Sequence, residues 1–240
     1  MNRKHSFFCQ TLFTGTLTAL FLGAIGYPFS SAQAQGRPLG APPGNHRSGA
    51  ARGACFAADR VRGLTALMDD SDPALTTQAN PTLLFYLPFG QAPFSSADGQ
   101  SYNATSAEFE LRDVNENSAL KNQKIVVSLP NKPGIVKLAL PKTETALEPD
   151  KEYFWSLRII CDPNDNTANP SVSGWIKRVK SDASGNAWLD RLDQLAQSPT
   201  NQLDKWTELL KPFNLQEFSQ ATIIELKPAD ELRTGAEAGK

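Results

Sequence analysis

Tyr153-Phe154-Trp155-Ser156-Leu157-Arg158-Ile159-Ile160-Cys161 is the stretch that decides the fold. Tyr153, Trp155, Leu157, Ile159 and Cys161 occupy alternate positions. Successive side chains of an extended chain point to opposite faces, so these five share one face and the period of two reads as a half-buried strand. The same period extends upstream. Ala107, Phe109 and Leu111 alternate with Glu108, Glu110 and Arg112; Ile125, Val127 and Leu129 precede Pro130; Val136, Leu138 and Leu140 stop at Pro141. Leu83 to Leu87 is a continuous apolar run ended by Pro88, and downstream Ser171 to Lys180 carries Trp175, Ile176 and Val179. Pro, Gly, Asn and Asp clusters punctuate the runs, and no helical period intervenes. The expected fold is mainly β, an antiparallel β-sandwich over residues 54–181.

Beyond Ser181 the period changes. Trp188, Leu189, Leu192 and Leu195 fall at helical spacing, as do Leu203, Trp206, Leu209 and Leu210 before Pro212. Leu215, Phe218 and Ile223 suggest one more short helix, which gives a C-terminal α-helical tail over 182–226 and a polar, disordered end over 227–240. Helices this short are marginal alone, so they must pack on each other, on the sandwich or on a partner.

The N-terminus carries Arg3 and Lys4, an apolar run from Phe7 to Tyr27, and Ala32-Gln33-Ala34. Basic head, apolar stretch and small-x-small site form a secretory signal over residues 1–34, with cleavage expected after Ala34. Thr14, Gly15, Thr16, Thr18 and Gly23 dilute the run, which argues against an uncleaved anchor. Residues 35–53 are rich in Pro, Gly and Arg without apolar periodicity, and read as a flexible leader. Cleavage removes Cys9 and leaves Cys55 and Cys161, which in an oxidising compartment pair as a disulfide; two separate buried thiols are the alternative. The bond would close a loop of about a hundred residues, for which the chain-entropy relation gives about 4–5 kcal/mol as an upper figure.

Leu147-Glu148-Pro149-Asp150-Lys151-Glu152-Tyr153 resembles the tyrosine corner of immunoglobulin-like and fibronectin-type sandwiches. Tyr153 would then bond backward to the main chain in a structural role. The cysteines depart from the immunoglobulin pattern, since Cys55 precedes the first clear strand and Cys161 ends the Tyr153 strand.

A second resemblance rests on an ordered set of segments. These are Arg52-Gly53-x-Cys55, Leu64-Thr65-Ala66-Leu67, Asn80-Pro81-Thr82 with Phe85-Tyr86-Leu87-Pro88, and Ala107-Glu108-Phe109. They continue with Pro133-Gly134-Ile135-Val136, Leu138, Leu140-Pro141, Leu147-x-Pro149, Tyr153-x-Trp155, Ile160-Cys161-Asp162-Pro163 and Gly174-Trp175-Ile176-x-Arg178-Val179. Together they resemble the cyanobacterial family DUF928, a domain of unknown function. The resemblance implies export in a cyanobacterium and a β-sandwich, and it implies no activity, cofactor or catalytic residue.

The residues exclude several chemistries. After cleavage His46 is the remaining histidine, and it lies in the leader, where an imidazole is not held against a nucleophile. A His- or Cys-based zinc site lacks ligands for the same reason. No cofactor is expected. Asp162, Asn164 and Asn166 alternate as a hard-cation loop begins, and so do Asp113, Asn115 and Asn117. Thr167 and Ser118 stand where an EF-hand needs Gly, and Ser173 and Lys124 where it needs Glu, so both read as Asx-rich turns. Glu108 and Glu110 could serve a carboxylate-dependent hydrolase but sit where solvated charge ordinarily sits. Trp155 is expected in the core. Trp175, Trp206 and Leu210 are the candidate partner contacts, weighed against core packing.

With 24 Lys and Arg against 25 Asp and Glu, the balance argues against nucleic acid as a partner. The expectation is an exported, non-enzymatic binding or protein-interaction module in the periplasm or at the cell surface. Its partner would be an envelope protein or glycan, with no membrane span after signal cleavage. The alternatives are a carboxylate-dependent envelope or carbohydrate hydrolase, and a structural envelope component.

Overall fold

The structure, a computed structural model, describes residues 37–48, 63–88, 94–95, 101–102, 104, 106–142, 144, 146–162, 167, 169–182 and 185–228. The chain divides into two compact units, Met1–Gln33 and Ala34–Lys240, and every described residue belongs to the second. Residues 1–34, expected to be a signal, the region 227–240 apart from Lys227 and Pro228, and Cys55 lie outside the described residues.

The strands are β1 (Thr65–Ala66), β2 (Ala74–Thr76), β3 (Thr82–Leu87), β4 (Phe94–Ser95), β5 (Ser101–Tyr102), β6 (Ser106–Asp113), β7 (Lys124–Ser128), β8 (Gly134–Ala139), β9 (Glu152–Ile160), β10 (Ser171–Arg178) and β11 (Ile224–Glu225). The larger sheet has the order β2-β10-β9-β6-β7 and the smaller the order β1-β3-β8-β11, while β4 and β5 form a separate ribbon. The alternation read in the sequence produces these sheets. Along β9, Tyr153, Trp155, Leu157 and Ile159 are buried and the residues between them are half-buried. Ala107, Phe109 and Leu111 of β6 follow the same rule. The inner faces of both sheets merge into one apolar cluster with Phe85, Val136 and Leu138 from the smaller sheet. Each fully buried Leu, Val or Phe there contributes roughly 1.5–3 kcal/mol.

The fold is mainly β with two sheets and C-terminal helices, as the periodicity predicts. The pairing corrects the wholly antiparallel expectation. β2 runs parallel to β10, and β11 runs parallel to β8. Both parallel partners are edge strands of two or three residues, too short to show a period.

Helix α1 (Trp188–Gln197) buries Trp188, Leu189, Leu192, Leu195 and Ala196. It packs on β2 and β3. Asp190 fixes the contact: its carboxylate accepts Thr76 Oγ1 at 2.6 Å, the Thr77 N–H at 3.0 Å and the Thr77 hydroxyl. Trp188 Nε1 donates to the Leu67 carbonyl at 2.9 Å. Helix α2 (Leu203–Leu210) follows, then 3-10 turns at Lys211–Phe213 and Gln216–Phe218. The tail expected to be helical thus also supplies β11.

Two segments outside the main strands join the sheets along opposite edges. On one side Asn45 pairs with Ser173 of the larger sheet and Arg47 pairs with Thr65 of the smaller. On the other, β11 pairs with β8 while Pro228 bridges to Val127 of β7. The stretch 37–48, expected to be part of a flexible leader, is therefore ordered against the sandwich. A Pro- and Gly-rich stretch that buries no core of its own can still dock on the core of another segment. The contacts of residues 37–48 go both to nearby Leu64, Thr65, Ala66 and Asp72 and to Glu152, Ser173, Trp175 and Pro212, more than a hundred positions away.

Candidate binding site

On β10, Val172, Gly174 and Ile176 oppose the inward residues Leu157, Trp155 and Tyr153 of β9. Trp175 opposes Phe154 and so lies on the outer face. The two rings sit 5.2 Å apart between centroids, tilted by 60°. Trp175 is nonetheless only 4% exposed, because residues 37–48 cover it. Its Nε1 donates to the Pro42 carbonyl at 2.9 Å. The Arg37 guanidinium stands 4.6 Å above its ring, an arrangement worth roughly 0.5–2 kcal/mol.

Arg37 is held from two sides. Its Nε donates to Glu152 at 2.6 Å, and Nη1 and Nη2 meet the two Asp72 oxygens at 2.9 and 2.8 Å. The Asp72 pair is a bidentate fork but is half open to water, which limits its worth to about 1 kcal/mol. Glu152 is better covered and carries the stronger contact. Pro38 to Ala41 makes a turn closed by Ala41 N–H to Pro38 O, with Gly40 at φ +88° where a Cβ would be strained. Leu39 points fully into solvent from that turn.

After Pro43 the segment enters the seam between the sheets. Asn45 and Ser173 exchange two main-chain hydrogen bonds of 2.8 Å, and Ala66 N–H donates to the His46 carbonyl at 2.8 Å. The His46 ring lies near-parallel to Trp155, and a Cβ on Gly174 would come within 2.9 Å of both. Burial lowers the His46 pKa, against an opposing pull from Asp72, Asp69 and Asp70. Arg47 donates to the Pro212 carbonyl, which ties the segment to the helices as well.

The other predicted residues fall elsewhere. Tyr153 is buried, and its hydroxyl accepts the Glu148 N–H, five residues upstream, at 3.0 Å. Trp206 and Leu210 are fully buried, so of the two expectations, core packing and partner contact, they follow core packing. The hydrophobic face of a helix this short is stabilised by its own core before any other protein. Trp206 Nε1 and Trp155 Nε1 are buried without a hydrogen-bond partner among the described residues, a cost offset by the area these rings bury. Trp175 is likewise covered by its own chain. Cys161 is buried at the end of β9, and its expected partner Cys55 lies outside the described residues.

The cation candidates come apart. Asn164 and Asn166 lie outside the described residues, and the main chain at Cys161 and Asp162 is organised by Asn169, whose Oδ1 accepts both N–H groups at 2.8 and 3.0 Å. The Asp113 carboxylate accepts Asn115 N–H at 2.8 Å, Asn117 N–H at 2.9 Å and Asn117 Nδ2 at 3.2 Å, which is an Asx-type turn. Among the described residues no cluster of three His, Cys, Asp or Glu could hold a metal ion. A pocket of about 200 Å³ lies beside this turn, lined by Asp113, Asn117, Glu148, Lys151 and Tyr153. That is below the roughly 300–1,000 Å³ of small-molecule sites. Glu108 is paired with Lys124, and Glu110 with Arg112.

Fold and face together define a two-sheet β domain with a peptide segment of its own chain seated on an aromatic outer face. The chain belongs to the DUF928 family, described as a domain of unknown function, whose match spans residues 47–186. That span contains Trp175, Phe154, Asp72 and Glu152 and leaves out Arg37 and Pro42. No curated protein and no solved structure matches the chain. Among the described residues no helix is long and apolar enough to cross a membrane.

Proposed function

We propose that this protein is an exported, non-enzymatic binding module of the cell envelope, working in the periplasm or at the cell surface on a protein or glycan partner. One observation carries the reading: the sandwich already holds a peptide segment, residues 37–48, which makes a turn over the Trp175 face and then pairs in the adjoining seam. Sheet faces and edges that take an extended strand are a recurring mode of peptide recognition. The carboxylates that a hydrolase would use, Glu108 and Glu110, are engaged by neighbouring cations on an open sheet surface. The helices supply core through Trp206 and Leu210, which favours the sandwich over the helical tail as the partner surface.

Export carries the proposal that Cys55 and Cys161 form a disulfide, supported by the burial of Cys161 beside the end of β9. The test is an affinity pull-down of the exported protein from envelope extract, run beside Arg37→Ala, Trp175→Ala and Cys161→Ser. Recovery of a protein or glycan that depends on Trp175 supports the module. Nothing above background from either the wild type or Arg37→Ala, in which the covering segment loses its ion pairs, would end it. N-terminal sequencing of the processed chain checks cleavage after Ala34, and a mass change on reduction and alkylation checks the disulfide.

A further inference from the structure

We propose that the outer face formed by Trp175, Phe154, Asp72 and Glu152 is a recognition site for a peptide that carries an arginine and a proline on either side of a turn, supplied by a partner protein. Residues 37–44 occupy that site in cis. The inference rests on the binding-module reading and names its ligand class.

The covering segment is bound as a ligand is bound. Its interaction with the face comes from two elements. Arg37 lies over Trp175 between Asp72 and Glu152. The Pro42 carbonyl takes the Trp175 indole N–H at 2.9 Å. An indole donor reading the carbonyl of a proline-containing chain is the chemistry of proline-rich peptide recognition. Proline suits it because its fixed φ leaves little entropy to lose on docking. The arginine supplies specificity, since two carboxylates beside one aromatic ring suit a planar guanidinium better than an ammonium.

Between these two elements the segment is loosely held. Pro38, Leu39, Gly40, Pro42 and Pro43 are exposed. The Pro38–Ala41 hydrogen bond is internal to the segment. A peptide of the same chemistry can therefore replace it on the face while Asn45 to Ser48 stay paired in the seam. The face lies within the family span and the occupant's Arg37 and Pro42 lie outside it, so the receiving surface is the part tied to the domain.

The experiment titrates the exported protein into a fluorescein-labelled peptide with the sequence of residues 35–48 and follows anisotropy. Wild type should bind weakly, because its own segment competes. Arg37→Ala, and separately Pro42→Gly with Pro43→Gly, release that segment and should tighten binding by about tenfold. Adding Trp175→Phe to Arg37→Ala should abolish the gain, and so should Arg→Ala in the peptide. Absence of binding by both released variants up to about 1 mM peptide overturns the proposal. So does binding that is indifferent to Trp175, or displacement of the peptide by cello- or peptidoglycan oligosaccharides, which would make the face a glycan site. If an envelope partner is still recovered by the pull-down while the peptide fails, the module stands and this ligand class falls.

Discussion

The ring of His46 lies within 13° of parallel to that of Trp155, with centroids 6.4 Å apart, at the seam where Asn45 joins one sheet and Arg47 the other. Gly174 makes this possible, since a side chain there would occupy the space both rings approach. Gly174→Ala should therefore be destabilising by about 1–3 kcal/mol, the usual range for overpacking a filled core. Urea unfolding monitored by tryptophan fluorescence measures it. A midpoint equal to wild type would show that the seam has slack.

The same imidazole gives a pH dependence. Burial holds its pKa below the ordinary value, so the fold favours the neutral ring. The unfolded chain takes up the proton below about pH 6.5. Just under that pH the unfolded state binds more protons than the folded one. The stability due to neutral His46 is thus present above about pH 6.5 and is lost as pH falls toward the folded pKa. Asp69, Asp70 and Asp72 narrow the window by favouring the charged ring. Comparing wild type with His46→Gln at about pH 7.5 and 5.5 isolates the effect, because all other groups are shared. The gap in urea midpoint should shrink at the acid pH; an unchanged gap would count against it.

Tyr153→Phe removes the acceptor of the Glu148 N–H and nothing else of size. The expected loss is about 0.5–1.5 kcal/mol with an unchanged denaturant slope, because water can reach the partly exposed turn. A loss several times larger would mean that the hydroxyl organises the whole β9 entry.

Asp190→Asn breaks the most connected side chain between helix and sheet. Its carboxylate serves Thr76 and Thr77 together. Replacing a charged acceptor that carries several bonds should cost about 1.5–3 kcal/mol. Hydrogen exchange should show the opening at 188–197, with β9 and β6 still protected. Equal loss of protection across the sandwich would instead make α1 part of one cooperative unit.

Much of the architecture was legible in the sequence because alternation is a local signal. β6, β7, β8, β9 and β10 each carry several inward residues two apart, and Pro130 and Pro141 mark their ends. β1, β2 and β11 escaped notice because two or three residues cannot display a period. The docking of 37–48 was illegible for another reason. A Pro- and Gly-rich stretch shows no apolar face, and its partners Trp175, Glu152 and Asp72 are set by tertiary structure. One signal did exist: Trp175 and Ile176 are adjacent and cannot both point inward, so an outward Trp required a cover. The helical spacing of Trp206 and Leu210 makes an apolar face legible, but spacing alone does not say which surface that face meets.

The two stapled margins bear on self-association. An open sheet ends in unpaired N–H and C=O groups that invite neighbouring molecules to add strands. Here Asn45 and Arg47 guard one border, and Ile224, Glu225 and Pro228 guard the other. One guard precedes β1 in the chain and the other follows β10. Removing either guard, or fusing a bulky tag beside it, would bare a ready template for polymerisation while leaving the central strands intact.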